Sequence, residues 1–217
     1  MDAPLEIAIL ANGAPPWHPV PLSRLKAAGL LVCCDGACSN ARSLGRLPDY
    51  VVGDGDSVTP EDRTALGSKY VLVSEQDTND LDKAFRFACS MNPGRITILG
   101  ATGLREDHAL GNIFRLFGFA AAFSDVSMLT DSGVFEVVTG EREFNCAPGA
   151  EVSLFATSCE TRVRSEGLVW PLDDVRFTNL YCATLNRTSG TSFRLSADRP
   201  VLLFRTHAKE HQPQTDQ

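Results

Sequence analysis

The chain has 217 residues, 43% of them hydrophobic and 22% charged, the balance of a folded protein with a sizeable core. Its formal net charge of -7, from 20 Lys plus Arg against 27 Asp plus Glu, opposes binding to nucleic acid or to an anionic membrane surface. The opening stretch 1–13 has no basic leader, and its apolar run Ile7 to Leu10 is too short to span a bilayer, so a cytoplasmic protein is expected.

Short apolar runs then recur, each followed by a small polar cluster. Ile7 to Leu10 leads to Asn12 and Gly13, and Leu30 to Cys34 leads to Asp35 and Gly36. Tyr50 to Val52 leads to Gly53, Asp54, Gly55 and Asp56; Tyr70 to Val73 leads to Gln76 and Asp77; Ile96 to Leu99 leads to Gly100, Ala101, Thr102 and Gly103. Such runs predict buried strands of a parallel sheet that end in loops. Helical periods lie between them: Leu81, Ala84, Phe85 and Ala88, then Leu110, Ile113, Phe114 and Phe117, follow i, i+3, i+4, i+7. The alternation predicts a doubly wound α/β domain over 1–130, whose ligands sit outside the carboxyl ends of the strands. Cys33, Cys34 and Cys38 cluster without a CxxC pair, and the seven cysteines read as reduced, partly buried thiols.

From residue 131 the texture changes to short alternating segments, among them Glu151 to Ala156, Phe193 to Leu195 and Val201 to Phe204, broken by Pro148-Gly149, Gly167 and Ser189-Gly190. A small all-β sandwich over 131–217 is predicted, with a frayed polar tail from Ala208 to Gln217.

The acidic loops carry the chemistry. Asp54 and Asp56 flank Gly55 directly after a strand, a pair suited to Mg²⁺, which takes one or two carboxylates and completes its octahedron with water and phosphate oxygens. A plain Gly-Asp turn has the same string, whereas an EF-hand is excluded because Thr59 and Ala65 stand where its glycine and closing glutamate belong. Asp77 or Thr78 is positioned to cap the next helix, on which Asp80 and Lys83 share a face away from the apolar stripe. A carboxylate for metal and an ammonium for phosphate would thus be presented together. In the segment 100–112, glycines permit close approach of a phosphate to backbone N–H groups, Arg105 supplies a planar cation, and His108 and Asn112 share a helical face. Neither a Walker A loop nor a GxGxxG fingerprint is present.

Taken together, Asp35-Gly36-Ala37, Gly53-Asp54-Gly55-Asp56-Ser57, Gln76-Asp77-Thr78-Asn79-Asp80 with Lys83, and Gly100-Ala101-Thr102-Gly103 with Arg105, Asp107, His108 and Asn112 resemble, in order and spacing, the motifs of the thiamine pyrophosphokinases. Gly167 to Leu172 and Thr184-Leu185-Asn186 extend the resemblance into the second half. Leu185 departs from the usual Thr-Ser-Asn, and Leu104 stands where that family often has a second glycine. The resemblance implies an α/β domain followed by a β sandwich, a homodimer, Mg²⁺ as cofactor, and transfer of a pyrophosphoryl group from ATP to thiamine. It implies chemistry at Asp54, Asp56, Asp77, Asp80, Lys83, Arg105 and Asp107, with Asp54, Asp56 and Asp80 on the metal. It further implies ATP contacts from Asp35, Gly36, Ser57, Thr78, Thr102, Gly103, His108 and Asn112, and thiamine contacts from Gln76, Trp170 and Asn186. Either Asp107 or Asp77 is the expected proton acceptor.

Two other readings compete. Asp54-Gly55-Asp56-Ser57-Val58 also resembles the DxDx[TV] nucleophile of haloacid-dehalogenase-like phosphatases, although that motif belongs near the start of its domain. A non-catalytic nucleotide- or thiamine-binding module would bind ATP without making AMP.

Overall fold

A computed structural model of the chain describes residues 4–56, 58, 63–64 and 66–207. It divides into two compact units, Met1–Asp131 and Ser132–Gln217. The tail expected to fray, and Ser57, lie outside the described residues.

In the first unit, β1 (Glu6–Leu10), β2 (Leu30–Cys34), β3 (Tyr50–Gly53), β4 (Tyr70–Leu72), β5 (Arg95–Leu99) and β6 (Val126–Leu129) pair in parallel in the order β6-β5-β1-β2-β3-β4. Ile7, Ile9, Leu31, Val32, Val51, Val52, Ile96 and Ile98 are fully buried, as strands covered on both faces require. From β1 the chain builds outward to β4, then returns to place β5 and β6 on the other side of β1. The reversal makes the fold a doubly wound α/β sheet and puts its switch point between the carboxyl ends of β1 and β5.

The helices whose bounds lie within the described residues are α1 (Pro19–Ala27), α2 (Cys38–Ser43), α3 (Asp80–Ser90) and α4 (Glu106–Ala122). Two expectations about them need correction. The cap of α3 is Asn79, whose side chain accepts the Asp82 N–H at 2.9 Å. Asp77 and Thr78 instead present their N–H groups to Glu75, which gathers the loop ahead of the helix. On α4 the buried positions are Leu116 and Phe119, with Phe119 stacked on Phe85 at 4.1 Å, whereas Leu110 and Phe114 are half exposed. This helix is apolar on two sides, so its period alone did not identify the face that packs inward.

The second unit is built around β12 (Ser192–Thr206), a strand of 15 residues. One side of β12 pairs along its length with β7 (Gly133–Asn145). On the other side, its first part pairs with β9 (Arg162–Glu166) and its last part with β8 (Glu151–Ala156); all these pairings are antiparallel. The partner changes where the register shifts between Ala197 and Val201, at a segment containing Pro200, which has no N–H for a ladder. The segments at 193–195 and 201–204, expected as separate strands, are therefore two halves of one. β11 (Ala183–Arg187) flanks β8, and β10 (Val175–Arg176) flanks β9. Val152, Leu154, Val163, Phe177, Phe193, Leu195, Val201 and Leu203 fill the core of this sandwich.

Candidate active site

The loops at the strand ends are tied together by backbone bonds before any side chain is considered. Beyond β1, Gly13 N–H donates to Gly100 O at 2.7 Å and Ala14 N–H to Thr102 O at 2.8 Å, which fastens the loop after β1 to the loop after β5. A Cβ on Gly13 would lie 2.5 Å from Gly100 O, so this approach requires glycine. Between the two loops opens a cleft of about 360 Å³, lined by Asn12, Gly13, Cys34, Asp80, Thr102, Arg105, His108 and Asn112, among others. It lies at the topological switch point, where open α/β sheets bind their ligands. Asn112 Nδ2 donates to Ala101 O at 2.9 Å and so fixes one wall.

Next to the cleft the acidic loops meet at Lys83. Its Nζ donates to Asp54 Oδ2 at 3.0 Å and to Asp80 Oδ1 at 3.3 Å, and its side chain is only 1% exposed. The expectation that Lys83 faces away from the core is thus corrected: the first turn of α3 is covered by the loop after β3, which reaches over with Asp54. Burial disfavours the ammonium, but its bonds to Asp54 and Asp80 outweigh this and raise its proton affinity. The Asp54 carboxyl is held below its ordinary value, first by Lys83 and then by the Asp56 N–H at 3.2 Å. Burial pushes Asp80 up, with Lys83 opposing.

The loop after β3 is fixed from beneath by Asp35, a carboxylate 1% exposed at the end of β2, whose Oδ2 accepts the Gly55 N–H at 3.1 Å. Gly53 lies against Asp35 so closely that a Cβ there would be 2.5 Å from the Asp35 Cβ, and Gly36 leaves room for Asn12 in the same way. Gln76 Nε2 donates to Asp54 Oδ2 at 3.2 Å, which places Gln76 in the carboxylate network. Glu75 accepts from Thr78 and Arg86 as well as from the backbone, and these bonds, led by the Thr78 hydroxyl, draw its carboxyl down to about 2. Arg105 and Asp107 form an exposed two-point pair, Nη2 to Oδ2 at 2.6 Å and Nε to Oδ1 at 3.1 Å, which holds Asp107 low and Arg105 high.

The structure thus brings Asp35, Asp54, Gln76, Asp80 and Lys83 into one bonded network, beside a cleft that Thr102, Arg105, His108 and Asn112 line. Asp56, Asp77, Gly103, Asp107 and His108 are exposed at the same strand-end rim, while Glu75 takes the Asp77 N–H and both the N–H and the hydroxyl of Thr78. In the second unit Trp170 is 57% exposed, and its backbone is bracketed by Asn186: Trp170 N–H donates to Asn186 Oδ1 at 3.2 Å and Asn186 Nδ2 to Trp170 O at 2.6 Å. Leu185 beside it holds a left-handed backbone, φ 62°, at the irregular pairing of β11 with β8.

Sequence reasoning left Asn12, Gly13 and Cys34 out of the site. The first two follow the first strand run, and the strand-end rule used for the acidic loops applied to them equally. Cys34 is the last residue of its strand, where burial, followed by the charge of Asp80, pushes its thiol well up. Among the described residues no helix is long and apolar enough to cross a membrane.

Comparison with known proteins gives a consistent set of similarities. The family model "Thiamin pyrophosphokinase, catalytic domain" matches residues 22–128, and "Thiamin pyrophosphokinase, substrate-binding domain" matches residues 133–204. The chain is 40% identical over 77 residues to the thiamine pyrophosphokinase of Bacillus subtilis, an alignment covering 34% of this chain and 36% of that protein. It is 32% identical over 144 residues to thiamine pyrophosphokinase 1 of Oryza sativa, covering 55% and 53%. The matches therefore span roughly a third and a half of those curated relatives. Among solved structures, the Bacillus subtilis thiamine pyrophosphokinase superposes with a TM-score of 0.79 at 22% identity, covering 94% of this chain and 100% of that one. The Candida albicans enzyme superposes at 0.74 and 18%, covering 94% and 90%.

Proposed function

The chain belongs to the thiamine pyrophosphokinase family, and from that we propose that it transfers the pyrophosphoryl group of ATP to thiamine, giving thiamine diphosphate and AMP. The observation that carries the reading is the meeting of Asp54 and Asp80 on the buried Lys83 ammonium, beside the cleft at the switch point. Such a place gathers the opposite charges that a polyphosphate and its cation need. The hydroxyl on thiamine's side arm attacks the β-phosphorus of ATP in line; the new O–P bond forms as the bond to the α-phosphate oxygen breaks, and AMP leaves with that oxygen.

We assign Mg²⁺ as the cofactor, held by Asp54, Asp56 and Asp80. Asp54 and Asp80 already meet at one cation, Lys83, and are hard oxygen donors of the kind Mg²⁺ takes singly or in pairs. The three aspartates do not form a closed ligand group among the described residues, so water and phosphate oxygens would complete the ion's shell. When bound, the ion would neutralise charge on the phosphates. The residues of the chain supply the remaining work. Lys83, kept protonated by its two carboxylates, meets negative charge that develops on the transferred group, and Arg105 adds a cation at the mouth of the cleft. Thr102, Gly103, His108 and Asn112 seat the nucleotide, with Asp35, Gly36 and Thr78 holding the loops around it. Asp107, made a weak base by Arg105, is poorly matched to accept the hydroxyl proton; Asp77 remains the assignment for that step.

Thiamine is assigned to Gln76 of one subunit and to Trp170 and Asn186 contributed by the second subunit of a homodimer. The half-exposed Leu110 and Phe114, and Trp170 itself, supply apolar surface for such an assembly. The reaction is assigned to the cytoplasm, which supplies ATP and keeps thiols reduced. The test is to incubate protein, ATP, Mg²⁺ and thiamine and to identify the products. Equal amounts of AMP and thiamine diphosphate are expected; ADP or free phosphate as the thiamine-dependent product would overturn the assignment.

A further inference from the structure

The geometry points to Arg63 as a positioning residue for the carboxylate loop Asp54-Gly55-Asp56, acting with Tyr70 through the Gly55 carbonyl. The inference rests on the metal-binding role proposed above for Asp54 and Asp56. Gly55 is held at both of its peptide groups. On one side its N–H donates to Asp35 Oδ2 at 3.1 Å, and on the other its carbonyl accepts from Arg63 Nη2 at 3.0 Å. The Arg63 guanidinium lies over the ring of Tyr70, 5.1 Å from its centroid. The Tyr70 hydroxyl in turn donates to Asp35 Oδ1 at 3.4 Å and approaches Gly53 O at 3.5 Å. Asp35, Tyr70 and Arg63 thus close a ring around a single glycine.

Gly55 has φ 92°, a left-handed conformation that glycine adopts without penalty, and a Cβ there would come within 1.9 Å of Arg63 Nη2 and 2.9 Å of the Tyr70 hydroxyl. The absence of a side chain therefore serves two ends: it permits the turn and it lets Arg63 and Tyr70 pack directly on the backbone. Fixing both peptide planes of Gly55 sets the directions in which Asp54 and Asp56 leave the chain. Asp35 holds the first plane; the second is held within the loop by the Asp56 N–H bond to Asp54 Oδ1 at 3.2 Å and from outside it by Arg63. Groups that orient ligands without touching the ion commonly carry a 10- to 100-fold effect on metal affinity.

Position and charge make opposite predictions for one variant. If Arg63 acted only as a nearby positive charge, Arg63→Ala would remove repulsion and tighten binding of a cation. If it orients the loop, the same change loosens binding. Mn²⁺ alone, titrated into the protein and followed by loss of the free-ion electron paramagnetic resonance signal, reads the difference. We expect Arg63→Ala to weaken Mn²⁺ binding about 10-fold or more, Arg63→Lys to restore part of it, and Tyr70→Phe to fall between, with unchanged melting temperatures. In turnover, the Mg²⁺ concentration for half-maximal rate should rise by about the same factor while kcat at saturating Mg²⁺ stays within about threefold of the wild type. Unchanged or tighter Mn²⁺ binding in Arg63→Ala, or a loss confined to kcat, overturns the positioning role. A wild-type protein that leaves the Mn²⁺ signal untouched overturns the functional reading beneath it.

Discussion

Lys83 Nζ lies 3.0 Å from Asp54 Oδ2 across 29 residues of sequence, an ion pair whose ammonium is almost fully out of water. Being buried, it resists screening by salt and cannot be replaced by solvent. Lys83→Met should therefore lower AMP formation by about 10²- to 10³-fold, the cost usually seen when a fixed donor to developing charge is removed. Steady-state kinetics with circular dichroism checks this, and a rate within about threefold of the wild type would remove Lys83 from the chemistry.

The two carboxylates of the loop after β3 differ in their surroundings. Asp56 is exposed, so Asp56→Asn should suppress turnover and leave the melting temperature unchanged. Asp54 is half-buried and bonded to Lys83, Gln76 and the Asp56 N–H. Asp54→Asn should suppress turnover and also cost about 1–3 kcal/mol, the range for weakening a buried charged bond. Equal melting temperatures for the two variants, measured at neutral pH, would contradict this division.

Acid should loosen the loop ahead of α3 through Glu75. Its carboxyl is drawn down from 4.5 to about 2, so the folded state binds its proton less tightly than the unfolded chain does. The resulting stabilisation is complete above pH about 4.5 and is lost as pH falls toward 2. The melting-temperature difference between the wild type and Glu75→Gln should accordingly be largest near neutrality and shrink below pH about 4.5. A difference that grows on acidification would show the sign to be wrong.

Trp170, 57% exposed, is not a core residue of its unit. Trp170→Ala should cost well under the roughly 3–5 kcal/mol of a buried tryptophan and should chiefly raise the KM for thiamine. At thiamine concentrations too low for Trp170→Ala to turn over, mixing its subunits with inactive Asp54→Asn subunits should restore activity if the site is shared between chains, because one intact site forms per mixed dimer. Proven subunit exchange without recovered activity would mean that each site is built within one chain.

Much of this architecture could be read in the residues. The apolar runs at 7–10, 30–34 and 96–99 marked their strands almost to the residue, because a strand covered on both faces leaves little choice of side chain. The rim of acidic and glycine-rich loops followed from strand direction alone. The inward face of α4 did not, since Leu110 and Phe114 compete with Leu116 and Phe119 in the same period. Nor did the burial of Lys83, which depends on Asp54 arriving from another loop. The unity of β12 was concealed by Pro200, which breaks the ladder locally without ending the strand.

That strand has a consequence for how the second unit comes apart. β7, β8 and β9 each hydrogen-bond to β12, so detaching any one of them strips the shared strand of a ladder. Opening of either half exposes the edge that the other half shares. Amides of β12 at 193–196 and 202–204 should thus exchange with deuterium together, at the slowest rate in the unit and by a single cooperative event. β10, two residues long and paired with β9, and the bulge where β11 leaves the β8 ladder between Ala183 and Asn186 should open sooner. The irregular turn at Leu185 is in this way a place where the margin of the sandwich can loosen while the shared strand holds.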